Sequence, residues 1–235
     1  MIDETIKQNL DDIYSRIKTA AGKSGRKAED IKLIAVTKTV EVDRIRNVCE
    51  YGVPDFGENR VQELLEKYDK FDDTIKWHLI GHLQTNKVKY IIDKVHMIHS
   101  VDSFELAKEI DNRAGKAGKK MNILLQVNVS GEETKFGISP EEVNRYVSFI
   151  SQLENLSLRG MMTIAPFADN TQEIRPIFKH LYDIFIDIKN KRIDNVSMDY
   201  LSMGMSNDFE VAIEEGANII RVGTGIFGKR NYPQK

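Results

Sequence analysis

Apolar and polar positions alternate along this chain in two rhythms. Ile2, Ile6, Leu10, Ile13 and Ile17 recur at helical spacing and predict an amphipathic helix over residues 2–21. After it, short apolar runs take turns with longer amphipathic stretches. The short runs cover 32–37, 53–56, 77–81, 96–101, 122–129, 158–164, 197–202 and 218–222, and they read as strands. Helical patterns lie between them, near 41–51, 58–69, 85–93, 103–117, 140–153, 171–191 and 207–216.

Strict β/α alternation implies parallel strands covered by helices. Eight such units predict an α/β fold, a (β/α)8 TIM-type barrel with an extra N-terminal helix. A doubly wound open sheet is the rival architecture. No linker rich in Pro, Gly or Ser interrupts the pattern, so a single domain spanning residues 1–235 is expected.

Composition narrows the function. Hydrophobic residues make up 41% and charged residues 30%, and the net charge is −2. That charge argues against a general nucleic-acid binder, which would be basic. No apolar run approaches the roughly 20 residues of a membrane span. The N-terminus MIDETIKQNLDDIYSRIK is charged throughout and lacks the apolar centre of a signal peptide. The single cysteine, Cys49, sits in a helical pattern and reads as a small core residue rather than a nucleophile. A cytoplasmic protein is expected.

In either architecture the chemistry belongs at the C-terminal ends of the strands. The first strand, in IKLIAVTKTV, delivers Lys38 there. The seventh ends SMGMSND and the eighth RVGTG, which place Gly204, Ser206, Gly223, Thr224 and Gly225 where barrels commonly bind phosphate. GTGIFG at 223–228 also fits the dinucleotide pattern, but only seven residues follow it, too few for the second half of that motif. Arg221 alternates with Ile220 and Val222 and faces away from them, either to pair with a helix carboxylate or to reach a ligand. A lysine desolvated near another cation becomes a nucleophile. A nucleophilic lysine and a phosphate cradle on one rim form the minimum set for pyridoxal 5′-phosphate (PLP), and equally for a class I aldolase.

The segments IAVTKTV, FGENRVQE, WHLIGHLQTNK, HSVDS, VNVSGEETKFG, LRGMMTI and LSMGMSNDFEVAIEEGANIIRVGTGIFG together resemble the YggS/PROSC family of PLP homeostasis proteins. The likeness runs from about residue 5 to residue 231, and the family's fold is similar to the N-terminal barrel of alanine racemase. It implies that Lys38 is the Schiff-base lysine, that Arg221 faces the pyridine nitrogen, and that Ser206, Gly223 and Thr224 cradle the phosphate. Asn59 and Met203 match positions beside the ring, and Lys135 falls where some members hold a second PLP. A guanidinium only donates, so it leaves the pyridine nitrogen unprotonated and weakens the ring as an electron sink. No second domain follows the eighth strand to bring a catalytic tyrosine, so PLP storage or delivery without efficient turnover is expected. A weak PLP-dependent amino-acid racemase is the alternative, with His82 as its second acid/base. The partners implied are PLP and apo PLP-dependent enzymes, with no nucleic acid, no membrane and no metal, and the chain is expected to be a monomer. His82, Gln84, Asn86 and Lys87 receive no assigned role.

Overall fold

A computed structural model describes residues 3–228. Eight parallel strands close into a barrel in sequence order, each strand pairing with the next and β1 with β8. The strands are β1 (Lys32–Val36), β2 (Asp55–Glu58), β3 (Lys76–Leu79), β4 (Met97–Val101), β5 (Met121–Gln126), β6 (Leu156–Met162), β7 (Val196–Ser202) and β8 (Ile219–Val222). The rival open sheet is thereby set aside.

The helices are α1 (Glu4–Lys23), α2 (Val42–Tyr51), α3 (Val61–Tyr68), α4 (Phe104–Lys116), α5 (Val143–Ile150), α6 (Arg175–Lys191), α7 (Phe209–Glu214) and α8 (Thr224–Phe227). The apolar stripe of α1 is buried at Ile6, Leu10, Ile13 and Ile17, against α2, α7 and α8. Asp3 caps that helix by accepting the Thr5 N–H. Ile2 lies outside the described residues.

Most boundaries shift by one to four residues from the sequence pattern, and three departures have a local reason. The second strand is displaced to Asp55–Glu58, because Pro54 has no N–H for the ladder, while Gly57 and Glu58 pair with His78 and Leu79. The expected third crossover helix is a 3-10 helix, Thr85–Tyr90, in a segment rich in poor helix formers. The fifth strand ends at Gln126, after which Val127 forms an isolated bridge to Ile138.

Strand alternation divides the core. Phe56, Trp77, Leu79, Ile98, Leu125, Met161, Leu201 and Ile220 join the large apolar layer that includes the buried helix faces. Their chain neighbours point into the barrel, where Met97, Leu124 and Met162 form a small apolar cluster of their own with Tyr200 packed against it.

Candidate functional site

Lys38 stands two residues beyond β1, and both of its neighbours are fixed. Thr37 is fully buried. Its hydroxyl donates to Glu58 Oε1 at 2.6 Å, and its carbonyl accepts from Lys67 Nζ at 2.7 Å. Lys67 also pairs with Glu58 at 2.7 Å, a contact buried on both sides. Burial pushes the Glu58 carboxyl up, against the pull of Lys67 and Thr37. On the other side, Thr39 has a φ of 62°, which β-branched residues rarely adopt. Its N–H donates to Glu63 Oε2 at 2.6 Å, which holds the turn. The segment carrying Lys38 is therefore anchored to α3 from both ends.

Arg221 enters the same space from β8. It is 3% exposed. Its partners are neutral oxygens: Nη1 donates to Ser202 Oγ at 2.6 Å and Nη2 to the Thr163 carbonyl at 2.8 Å. This answers the choice left by the sequence, since neither partner is a helix carboxylate. Burial pulls the guanidinium down to about 10, with the nearby Asp208 opposing the shift, so it stays protonated at neutral pH. Beyond β8, Ser206 Oγ accepts the Gly223 N–H at 3.3 Å and the Gly225 N–H at 3.1 Å, tying the β7 and β8 loops together.

These elements enclose a cleft of about 370 Å³ at the C-terminal mouth of the barrel, the size of a small-molecule site. Val36, Ile80 and Ile164 give it apolar walls, and Phe167, 79% exposed, stands at its edge.

The alanine racemase N-terminal domain family matches residues 8–231 of this chain. A pyridoxal phosphate homeostasis protein of Aquifex aeolicus is 44% identical over 226 residues, 96% of this chain and 98% of that one. Its namesake from Escherichia coli K12 is 33% identical, with 98% of this chain and 99% of that one covered. The chain belongs to the pyridoxal phosphate homeostasis protein family. Among solved structures, PipY of Synechococcus elongatus with PLP bound is 35% identical, with a TM-score of 0.78, and the match covers 85% of this chain and 93% of that one. An alanine racemase of Clostridium difficile, at 21% identity and a TM-score of 0.73, covers 98% of this chain and 60% of that one and shares the fold.

In this family member the cleft brings together Lys38, Asn59, Ser206, Arg221, Gly223 and Thr224. Met203 is not on that wall; it is fully buried in the apolar core. Gly204 is explained by packing rather than by an anion: at φ 92°, an added Cβ would sit 2.7 Å from Ala212 Cβ and 2.8 Å from Phe209 Cα. Gly81, in the GHLQTNK segment, is required because a Cβ there would lie 2.3 Å from the Asn59 carbonyl oxygen. His82 stacks on Phe136, ring centroids 3.8 Å apart, with Asp102 at 3.6 Å, and does not line the cleft. Gln84 stands at the N-terminal flank of the 3-10 helix that contains Asn86 and Lys87, with no capping bond from its side chain, and Lys87 Nζ lies 5.7 Å from the centroid of the Tyr90 ring. Lys135 pairs with Glu132 at 2.8 Å, outside the cleft. Sequence reasoning missed Lys67. Its signal was present, because Val61, Leu64 and Lys67 share one helical stripe and the lysine falls on the apolar side.

Proposed function

We propose that this chain binds PLP in the cleft through a Schiff base at Lys38 and serves intracellular PLP homeostasis by holding or handing on the cofactor. One observation carries the reading. An amine on a fixed turn, a buried guanidinium and a hydroxyl-lined loop pair share one small cleft with apolar walls. That donor set fits the three polar ends of PLP: an aldehyde, a pyridine nitrogen and a phosphate. The names of the curated relatives and the PLP-bound PipY structure support it.

The residues divide the work. The Lys38 amine bonds to the aldehyde carbon and water leaves. Ser206, Gly223 and Thr224 receive the phosphate, and Asn59 flanks the ring. Arg221 faces the pyridine nitrogen. A protonated guanidinium can only donate, so that nitrogen stays an acceptor and the ring stays a weak electron sink. Among the described residues, the cleft wall carries no histidine or tyrosine to serve as a second acid/base, which favours cofactor handling over racemisation. We read the chain as one PLP-binding barrel domain spanning 1–235, a cytoplasmic monomer that supplies apo PLP-dependent enzymes. None of the described helices is long and apolar enough to cross a membrane.

The test is the visible absorption of purified protein after PLP is added and the free cofactor removed. The wild type is expected to keep the Schiff-base band and Lys38→Ala to lose it. A band that survives in Lys38→Ala moves the attachment to another lysine. A wild type without a band overturns the reading.

A further inference from the structure

The interior of the barrel holds a row of polar groups that PLP binding does not require. Asp55 on β2, His78 on β3, His99 on β4 and Ser202 on β7 are buried and point inward. Lys32 Nζ lies 3.1 and 3.0 Å from the two Asp55 oxygens. Asp55 Oδ1 is 2.9 Å from His78 Nε2. His78 Nδ1 is 2.9 Å from His99 Nε2. His99 Nδ1 is 3.1 Å from Ser202 Oγ, which accepts from Arg221 at 2.6 Å. The row thus crosses the barrel from the cleft to the opposite end.

We propose that Asp55, His78, His99 and Ser202 form a one-way hydrogen-bond chain that positions Arg221 at the cleft. The direction follows from what each atom can do. An ionised carboxylate only accepts, so His78 Nε2 carries the hydrogen. A neutral imidazole has one donor and one acceptor, so His78 Nδ1 accepts and His99 Nε2 carries the next hydrogen. By the same rule His99 Nδ1 accepts and the Ser202 hydroxyl donates to it. The Ser202 oxygen then presents its lone pairs to Arg221. Burial keeps both rings neutral, the condition this logic needs. Asp55 therefore sets, through three contacts, the acceptor that holds one arm of the guanidinium, and the Thr163 carbonyl holds the other.

A proton conduit is the competing use of such a row, and the chemistry of its ends opposes it. Moving a proton from Arg221 to Asp55 would take it from a strongly basic guanidinium to a carboxyl that His78 and Lys32 hold below its ordinary value, which is uphill. The chain orients; it does not conduct. Only its effect on the ligand rests on the PLP reading, since the hydrogen positions need no ligand.

The experiment is long-range 1H–15N NMR of the uniformly labelled full chain at pH 7 without PLP. Both rings are expected as neutral Nε2–H tautomers. Asp55→Asn should reverse them. Its carbonyl turns to Lys32, its amide donates to His78 Nε2, and both rings become Nδ1–H tautomers. Either wild-type ring in the Nδ1–H or doubly protonated form overturns the proposal, as does a folded Asp55→Asn with His99 unchanged. If Asp55→Asn does not fold, the wild-type spectrum and Ser202 variants decide. Ser202→Ala should weaken PLP retention about fivefold, the worth of one hydrogen bond, and Ser202→Thr should restore it. Retention in Ser202→Ala within about twofold of wild type overturns the positioning claim. Lys38→Ala should lose the band yet keep the wild-type tautomers. Failure of the PLP reading would thus show in the band, and failure of this one in the tautomers or in Ser202→Ala.

Discussion

Neighbouring residues on β2, β3 and β4 face two different environments. Outward, Phe56, Trp77 and Ile98 join the apolar layer that includes the helix faces, with the Phe56, Phe71 and Trp77 ring centroids 5.8–6.5 Å apart. Inward, Asp55, His78 and His99 join a hydrogen-bonded row, beside a small apolar cluster. The outer face is stabilised by buried area, which is non-directional and tolerates swaps of similar volume. The inner face is stabilised one contact at a time, and each group depends on its neighbour's hydrogen. The barrel thus keeps its fold on the outside of the sheet and leaves the inside free for binding geometry.

The largest expected effect lies on the outer face. Phe56→Ala should cost about 3–5 kcal/mol in urea unfolding, the range for deleting a buried aromatic. Trp77 fluorescence reports the transition directly. A cost under about 1 kcal/mol would mean that the layer collapses around the gap and the contrast between faces is overstated. Next comes the buried Lys67–Glu58 charge pair on that outer face. Lys67→Met should cost about 3 kcal/mol, because Glu58 is left buried without its cation. Adding Glu58→Gln should recover most of that loss, since replacing both partners removes the stranded charge. Stability unchanged in Lys67→Met would show that Glu58 is already neutral in the folded chain.

How legible this was in the sequence follows from the same contrast. The β/α period exposed the barrel, because the outward layer writes its burial into every strand and helix. Lys38, Ser206, Arg221, Gly223 and Thr224 were legible because each lies just beyond or within a strand that the period had located. The inner row was not. Asp55, His78, His99 and Ser202 lie 19 to 103 residues from their hydrogen-bond partners along the chain. No spacing rule joins them, and each alone reads as an ordinary strand residue. Met203 was assigned to the ring by resemblance, yet the strand period alone puts it beside Ser202, and it packs in the apolar core. The expected helix after β3 failed for a local reason, since TNKVKY has no side-chain cap and four of its six residues, Thr85, Asn86, Val88 and Tyr90, are weak helix formers.

The smallest and most specific prediction sets the inner face against acid. His78 and His99 are fully buried, and burial holds both below the usual 6.5. His78 faces Asp55 and His99, with His96, Lys32 and Lys76 nearby, and His99 faces His78 and Ser202 with Arg221 beyond. Below pH 6.5 the unfolded rings take up protons and the folded rings do not, so stability falls as pH falls. Each ring adds a slope of at most about 1.4 kcal/mol per pH unit until its own folded value is reached. Asp55, held below 3.8, acts in the same direction only at lower pH. Between 6.5 and 5, His96, pulled down to about 4, adds to the slope, and Glu58, Asp102 and Asp208, pushed up by burial, oppose it. Urea midpoints at pH 7, 6 and 5 measure it. The outer-face variant Phe56→Ala should keep the wild-type slope, because it removes area and no proton. A flat profile in the wild type, with the His78 and His99 ring 15N shifts moving to imidazolium values over the same range, would mean that the folded rings charge as readily as the unfolded ones. A charged His78 would then aim a second donor at His99 Nε2, which already carries one, and the row could not run in a single direction.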